Sequence, residues 1–409
     1  MQMTATALNN GAKFVGKVVK IDLKAMSNTA SCLANYRMES KSPIDGSTIV
    51  TGPAPAQTAC IHIIDLPSLH PNARGFRRGF RECPYAFLSP GEFNVPVRLD
   101  VCNFGIHTTK VLDLGTVDKR YGGYSGGFAD GTWACFNPFR TFTGPFGGIR
   151  SEEAVDQGSL TPYFHAEVLC INEPGWNGVG RLNDSMRSFD LGNVDITLRG
   201  FSEAIRLGRF AYLSPLATQS HVYAGKVVRI YLGTQDIGAT LDYLKSKNQK
   251  VREIIDILDL KIVYKSLAGF SGLFTSGKFL FLVPYRNSEE LYNGQRGFGS
   301  LVRVDLNNFD FAGVKVLNLP GTTRSQIPSF ADEDLIGFSG GFASGKYGLL
   351  VPFFNAIFSG KMGRFIAITD DMSGNVQVLN LQVDRLRNGT YKAYRGGFVS
   401  LWQGAVDIR

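Results

Sequence analysis

The densest group of reactive side chains in the sequence is a run of four arginines within eight residues. The run reads RGFRRGFR and places guanidinium groups at Arg74, Arg77, Arg78 and Arg81. A guanidinium is a rigid fork of donors that suits a carboxylate or a phosphate. Because a buried charge needs a partner, the run predicts either an anion-binding site or an internal ion pair.

The histidines and cysteines form no catalytic or metal-binding pattern. The 5 His are scattered, and the 6 Cys show neither a CxxC spacing nor a His at a zinc-ligand interval. There is no G-x-S-x-G sequence and no phosphate-binding glycine loop. We therefore expect no metal and no cofactor. Cys60, Cys135 and Cys170 lie in apolar runs, which predicts buried free thiols.

The composition is that of a folded globular chain with a mild positive charge. Of 409 residues, 44% are hydrophobic and 19% are charged, and 43 Lys and Arg against 35 Asp and Glu leave a net charge of +8. This charge is too dilute for a continuous basic groove, which argues against a nucleic-acid partner. No apolar run is long enough to span a membrane. No export signal is visible, so we expect an intracellular protein.

A sixteen-residue unit that runs from a Gly-aromatic pair to a proline recurs along the chain. Each unit contains a turn glycine or proline near its middle and predicts two paired strands. The five copies are GFRRGFRECPYAFLSP at 75–90, GYSGGFADGTWACFNP at 123–138, GFSEAIRLGRFAYLSP at 200–215, GFSGLFTSGKFLFLVP at 269–284 and GFSGGFASGKYGLLVP at 337–352. A sixth copy begins at Gly396.

Each unit is followed by two further strand patterns, so that four short strands make one repeat. Four-stranded repeats punctuated by Gly and Pro resemble the blades of β-propeller repeat proteins. This resemblance implies an architecture and no particular activity. It predicts an all-β, six-bladed propeller in one domain, 1–409. Its blades start near residues 75, 123, 200, 269, 337 and 396, and strands within 14–66 complete the last blade by pairing with the C-terminal strands.

Two long segments interrupt the predicted blades. Residues 23–59 are rich in Ser, Thr, Ala and Pro, which predicts either an arm laid on a partner or a flexible loop. Within 233–250, Ile237, Leu241 and Leu244 follow helical spacing after a capping residue, Asp236. We expect this helix to pack on its own blade, with docking to a partner as the alternative.

The repeat places Arg77 and Arg78 on the innermost strand of the first blade, which borders the central channel. The equivalent positions of the other complete copies hold Ser followed by Gly or Glu. Glu203, on the innermost strand of the third blade, is the candidate partner for an ion pair. The alternative is an anion or an acidic side chain of a partner bound in the channel.

A second candidate site lies on the propeller face that carries the loops after each blade proline. Asn287 and Asn355 recur at the same offset from that proline, close to Phe139, Tyr285 and Phe353. Such a ring could bind a sugar, although Asn also closes turns by bonding its own backbone.

The sequence favours a non-catalytic propeller that acts as an interaction or structural subunit of a larger assembly. Its protein partners would bind the long loops 23–59, 139–165, 285–299 and 320–336. The alternatives are a carbohydrate-binding propeller and a hydrolase or lyase with a site at the channel mouth. For an enzyme, His165 and His221 beside Glu203 are the first candidates.

Overall fold

The chain folds mainly into short β-strands, as described by a computed structural model. The described residues are 2–5, 17–21, 36–52, 61–91, 93–141, 163–220, 222–287, 298–320, 335–353, 361–366 and 376–380.

The N-terminal sheet has five strands. They are β1 (Gln2–Ala5), β2 (Lys17–Ile21), β3 (Tyr36–Lys41), β4 (Thr48–Thr51) and β5 (Ile61–Asp65). Their order in the sheet is β1-β2-β5-β3-β4, and the β3–β5 pairing is the parallel one.

Five four-stranded antiparallel sheets follow, each with its strands in chain order. Sheet one contains β6 (Gly79–Glu82), β7 (Tyr85–Leu88), β8 (Val97–Asp100) and β9 (Lys110–Val111). Sheet two contains β10 (Tyr124–Asp130), β11 (Trp133–Pro138), β14 (Glu167–Asn172) and β15 (Met186–Asp190), and the ribbon of β12 (Arg140–Thr141) and β13 (Tyr163–Phe164) interrupts it. Sheet three contains β16 (Phe201–Leu207), β17 (Phe210–Pro215), β20 (Lys226–Tyr231) and β21 (Ile255–Asp259), with the ribbon of β18 (Ala217–Gln219) and β19 (Val222–Tyr223). Sheet four contains β22 (Phe270–Ser276), β23 (Phe279–Pro284), β24 (Ser300–Asp305) and β25 (Val314–Asn318). Sheet five contains β26 (Phe338–Ser344), β27 (Tyr347–Pro352), β28 (Lys361–Ile366) and β29 (Gln377–Asn380).

Helical structure is short in the described residues. The α-helices are α1 (Glu173–Trp176) and α2 (Ile237–Ser246). Single 3₁₀ turns lie at Leu66–Ser68, Leu114–Thr116, Leu182–Ser185, Leu191–Asn193, Val251–Ile254, Leu260–Ile262 and Phe311–Gly313. No helix in this part of the chain is both long enough and apolar enough to cross a membrane.

The first strands of successive sheets lie side by side. β6 contacts β10, β10 contacts β16, β16 contacts β22, and β22 contacts β26. Four-stranded sheets whose first strands meet in this way are the blades of a propeller, with the first strand innermost. The predicted β-propeller architecture is therefore present.

The hydrophobic core is divided among the spaces between neighbouring sheets. One buried cluster joins the N-terminal sheet to sheet one, and four more fill the successive spaces up to sheet five. In β11, Trp133 and Cys135 enter one space while Ala134 and Phe136 enter the other. Both faces of each inner sheet are thus buried, which explains continuous apolar runs such as FLFLVP.

Hydroxyl groups tie the innermost strands to one another. Ser125 Oγ donates to Ser202 O at 2.7 Å, Ser202 Oγ to Phe270 O at 2.9 Å, and Ser271 Oγ to Phe338 O at 2.7 Å. Each of these serines follows the Gly-aromatic pair of its repeat. The serine of the repeat therefore bonds one blade to the next.

The prediction of free thiols at Cys135 and Cys170 is wrong, because the two form a disulfide. They lie directly opposite each other on β11 and β14, a pairing that their separation of 35 residues does not reveal. At the equivalent cross-strand position, sheets one, three and four pair an aromatic residue with an arginine, as in Phe87–Arg98. Cys60 lies outside the described residues.

Helix α2 packs its apolar face against sheets two and three. Ile237, Leu241 and Leu244 are buried in the cluster between sheets two and three, and the Asp236 side chain accepts from the Ala239 amide at 2.8 Å. The Asp130 carboxylate, at the end of β10, accepts from the Ile237 amide at 2.7 Å. The helix therefore fastens sheet two to sheet three, in addition to packing on its own blade.

The N-terminal sheet differs from the predicted last blade in two respects. β2 pairs with β1 on the side that we assigned to the C-terminal strands, and β5 is not outermost because β3 and β4 extend the sheet beyond it. The described part of the predicted arm, 36–52, is thus a β-hairpin. It covers the β5 edge, whose backbone groups would otherwise lack partners. Residues 396–409 lie outside the described part.

Replacing Ile64 tests whether the N-terminal sheet is part of the cooperative core. Ile64 is 0% exposed between this sheet and sheet one. We expect Ile64→Ala to lower the free energy of unfolding by about 2 to 5 kcal/mol in one cooperative transition, measured by urea denaturation. Ile49→Ala, at a site that is 43% exposed, should change it by less than about 0.5 kcal/mol. Equal midpoints for the two variants would contradict this placement of the core.

Candidate functional site

The side chain of Arg78 crosses the central space between the first strands of the sheets. Its Nη1 donates to Glu203 Oε2 at 2.9 Å, and its Nη2 donates to the carbonyl oxygens of Ser271 and Ser339. These partners lie in the first strands of sheets three, four and five. We call Arg78 and Glu203 the axial pair.

The backbone around Arg78 extends the connection to the remaining two blades. The Ser89 amide of sheet one donates to Arg78 O at 3.3 Å, and the Gly126 amide of sheet two donates to Arg77 O at 3.0 Å. Residues 77 and 78 therefore bond to all five four-stranded sheets. Arg78 adopts a left-handed backbone conformation, with φ of 62°, which a side chain rarely takes without compensating contacts.

Glycines make room for the axial pair. The repeat positions equivalent to Arg78 and Glu203 hold Gly126, Gly272 and Gly340 in the other blades. A Cβ added to Gly272 would lie 2.5 Å from Glu203 Oε2 and 3.4 Å from Arg78 Nη1. The space at the centre is thus filled by one cation and one anion, with no side chain opposing them at this position.

The electrostatics of Glu203 favour the internal ion pair over an anion site. Burial raises the pKa of Glu203, while the charge of Arg78 and a hydrogen bond from the Leu273 amide at 3.2 Å act against that rise. The two side chains are 20% and 23% exposed, so water still screens the pair in part. The Arg78 guanidinium already has acceptors for both of its terminal nitrogens.

Arg77 lies on an aromatic ring and does not join the axial pair. Its Cζ is 5.3 Å from the centroid of Phe139, and the Cζ of Arg140 is at the same distance. Phe139 is 6% exposed and meets the edge of Phe164 at 5.7 Å. The structure therefore brings together two of the predicted site residues, Arg77 and Phe139, in a largely buried cation–π contact.

The other residues of the predicted sugar-binding ring are only partly assembled. Tyr285 and Phe353 have ring centroids 6.1 Å apart, with Arg286 over Tyr285 at 5.0 Å. Asn287 is 2% exposed, and its Nδ2 donates to Ser266 O at 2.6 Å, a backbone group 21 residues away, in place of the predicted bond to its own turn. Asn355 lies outside the described residues.

His165 is half-buried, and its ring makes structural contacts. Its Nε2 is 3.0 Å from Gly123 O, and its ring meets the edge of Tyr124 at 5.0 Å. Burial lowers the pKa of His165 to about 4, so the ring is neutral at pH 7. His221 lies outside the described residues, and the structure holds no cluster of three potential metal ligands within the described part.

A feature that the sequence did not predict is a second buried charge network, at the base of the β3–β4 hairpin. Glu39 is 3% exposed and lies 2.7 Å from Arg37 and 3.2 Å from His62, and it accepts from the Ile106 amide at 2.8 Å. Burial alone would raise the pKa of Glu39, but the Ile106 amide, Arg37 and His62 together lower it. The network fixes the hairpin to the loop after β8.

The far side of this hairpin is exposed. Strand β4 is the last strand of its sheet in the described residues. Ile44, in the turn, is 95% exposed, and Ile49 and Val50, in β4, are each 43% exposed. We call β3, β4 and their turn the edge hairpin. Its sequence signal was the β-branched run TIVT, which the Ser- and Pro-rich flanks obscured.

Comparisons with known proteins return solved structures alone. No family model and no curated protein matches the chain. Among the solved structures that match, a streptogramin B lyase is 11% identical over 94% of this chain and 80% of its own, with a TM-score of 0.43. The Pan2 WD40 domain of Neurospora crassa is 8% identical over 74% of this chain, with a TM-score of 0.38, and the chain spans 64% of that domain.

A third match is YCF48 bound to a D1 peptide. It is 12% identical over 75% of this chain and 67% of its own, with a TM-score of 0.39. All three are β-propeller proteins. Their names describe those proteins only, and the propeller assignment of this chain rests on its own strand order and contacts.

Removing Arg78 should leave Glu203 as an uncompensated, largely buried carboxylate. We expect Arg78→Ala to lower the free energy of unfolding at pH 8 by about 3 kcal/mol, the lower end for a buried pair because water partly screens this one. The pKa of Glu203 is already raised, and losing Arg78 raises it further, so the stability gained by protonating Glu203 is present at low pH and lost as the pH rises. The deficit of the variant should therefore shrink on acidification.

Thermal unfolding of the parent and of Arg78→Ala at pH 4.5 and pH 8, with and without phosphate, measures this effect. Arg81→Ala is the matched control for loss of one arginine. A deficit that grows on acidification would exclude Glu203 as its source. Stabilisation of the parent by phosphate that Arg78→Ala lacks would favour the anion-binding alternative.

The half-buried, neutral His165 should make the folded state sensitive to acid. The unfolded chain binds a proton at His165 near pH 6.5, whereas the folded chain does so near pH 4. This contribution is fully present above pH 6.5 and is lost as the pH falls toward 4, by at most about 3 kcal/mol. In urea unfolding between pH 4 and 7, His165→Gln should flatten the profile. A parental slope for His165→Gln would be inconsistent with a neutral ring in the folded state.

Proposed function

We propose that the protein is a non-catalytic propeller that binds another protein as a subunit of a larger assembly. The observation that carries the proposal is the outer edge of β4, with which no other strand of the described residues pairs. The proposed partner supplies an extended segment that pairs with this edge as an additional strand.

The backbone of β4 defines what can bind there. The Ser42 amide donates to Ser47 O at 2.9 Å, which makes these two residues a hydrogen-bonded pair. Hydrogen-bonded pairs alternate along an antiparallel ladder, so Ile49 and Thr51 face β3 with their backbone groups. The N–H and C=O of Thr48 and Val50 then point outward, toward the position of a further strand.

The side chains of β4 do not protect this edge. Soluble proteins usually block an edge strand with lysine, proline or a bulge. Strand β4 reads TIVT, with no charge and no proline, and Ile44 adds apolar surface at the turn. The net charge of +8 opposes close approach of a second copy and favours an acidic partner. We therefore favour a different protein over self-association.

The same proposal includes a ring of six blades. Sheets one to five are five of them, and the N-terminal sheet is proposed as the sixth. The loops 139–165, 285–299 and 320–336 are proposed as further partner contacts, although most of their residues lie outside the described part. Protein binding through these loops is an expectation from their length.

The two alternative functions lack comparable support. The carbohydrate ring depends on Phe139 and Asn287, and both are largely buried. An enzymatic site at the channel mouth depends on Glu203, whose Oε2 is bonded to Arg78 and to the Leu273 amide. Neither arrangement presents free functional groups to a substrate.

A proline at position 50 should block strand addition without breaking the hairpin. Val50 bonds outward in the derived register, so Val50→Pro removes an amide that the β3–β4 pair does not use. We expect the tagged parent, purified natively, to elute well above 44.8 kDa with a bound protein, and Val50→Pro to elute as the free chain. Val50→Thr, which keeps the amide and the branched side chain, should retain the partner.

Amide hydrogen exchange shows which residues of β4 contact the partner. In the assembly, the amides of Thr48 and Val50 should become protected, while those of Ile49 and Thr51 are already protected in the free chain. A parent that elutes as a monomer, a partner that Val50→Pro retains, or a complex containing two copies of this chain and nothing else would each refute the proposal.

A further inference from the structure

A cleft of about 260 Å³ lies between sheets one and two, on the side of the hairpin turns. The turn after β6, the turn after β10 and helix α1 enclose it. It is smaller than the pockets of about 300 to 1,000 Å³ that hold drug-sized molecules. None of the predicted site residues lines it, and it is separate from the edge hairpin.

Two buried donors on the lining of this cleft have no acceptor among the described residues. They are Nε of Arg98 and Nε1 of Trp176, in side chains that are 4% and 2% exposed. Buried N–H groups normally have a hydrogen-bond partner, because leaving one unpaired costs its full desolvation energy. Two such donors at one cleft indicate a missing acceptor.

Several contacts fix the position of the Arg98 side chain. Its guanidinium lies over the ring of Tyr85 at 4.2 Å and near that of Trp176 at 5.9 Å, and its Nη2 donates to Asn177 Oδ1 at 2.7 Å. These contacts hold the arginine in place and leave Nε as the unpaired group. In sheet three the corresponding Arg229 lies 2.8 Å from Asp256, so at that position the arginine has a carboxylate partner.

The same cleft is lined by two carboxylates. They belong to Glu82, the last residue of β6, and Glu173, in α1, whose Oε1 is 3.5 Å from the Tyr85 hydroxyl. Carboxylates accept hydrogen bonds and repel an anion. The cleft therefore offers donors and acceptors side by side, together with the aromatic residues Tyr85, Trp133 and Trp176.

We propose that this cleft binds one ring of a neutral sugar. A hydroxyl group both accepts from an N–H and donates to a carboxylate, so a polyhydroxylated ring satisfies both kinds of group. A simple cation supplies no acceptor for Arg98 and Trp176, and a simple anion is repelled by Glu82 and Glu173. The apolar face of a pyranose ring suits the aromatic lining, and the volume of the cleft suits a single ring.

The experiment titrates the full chain with methyl glycosides of glucose, galactose and mannose and with N-acetylglucosamine. Two of the three tryptophans of the sequence line the cleft, so binding should change the intrinsic fluorescence saturably. Calorimetry gives the affinities of the variants. Losing one hydrogen bond should weaken the best glycoside about three- to tenfold in Trp176→Phe and in Arg98→Lys.

Controls separate this site from others and from misfolding. Trp176→Phe removes a buried donor and also part of a buried ring, so a single cooperative melting transition of the ligand-free variant is the check that it is folded. Arg229→Lys, at the corresponding arginine of sheet three, and Val50→Pro, at the edge hairpin, should bind the glycoside like the parent. Failure of the parent to bind any of the four sugars, parental affinity in both cleft variants, or binding of free amino acids such as L-glutamate in place of sugars would overturn the proposal.

Discussion

The structure depends most on the contacts of Arg78 at the centre of the blades. A propeller is held together by contacts between neighbouring sheets, and nothing in the repeat itself links a blade to one beyond its neighbour. Arg78 makes that link, because its side chain from sheet one bonds to inner strands of sheets three, four and five. The left-handed backbone at Arg78 and the glycines at the equivalent positions follow from this placement.

Both faces of each inner blade are buried against neighbouring blades. Elements can therefore be inserted between the outer strands without disturbing this packing. The clusters between sheets provide the bulk of the apolar burial, while serine hydroxyls align the inner strands. The outer strands are then free to carry inserted elements. Helix α2 joins sheets two and three, and the edge hairpin extends the N-terminal sheet outward. The surface proposed for partner binding therefore lies far from the centre, on an element fixed by the buried Glu39 network.

The repeat made the blades predictable from the sequence, since sixteen residues from Gly-aromatic to proline encode two strands and their turn. The Arg78–Glu203 pair was predictable for the same reason, because an aligned repeat shows which residues share the innermost strand. The Cys135–Cys170 disulfide and the edge hairpin were not. Both depend on which strands become neighbours, and neither cysteine spacing nor the composition of residues 23–59 carries that information. The orphan donors of Arg98 and Trp176 likewise arise only from packing between two blades.

The central claim is that Arg78 and Glu203 are energetically coupled across the middle of the propeller. A double-mutant cycle measures this coupling directly, using the free energies of unfolding of Arg78→Ala, Glu203→Gln and the double variant at pH 8. The account predicts that the double variant loses less free energy of unfolding than the two single variants lose together, and that the difference is about 1 to 3 kcal/mol. Additive effects of the two substitutions would contradict it.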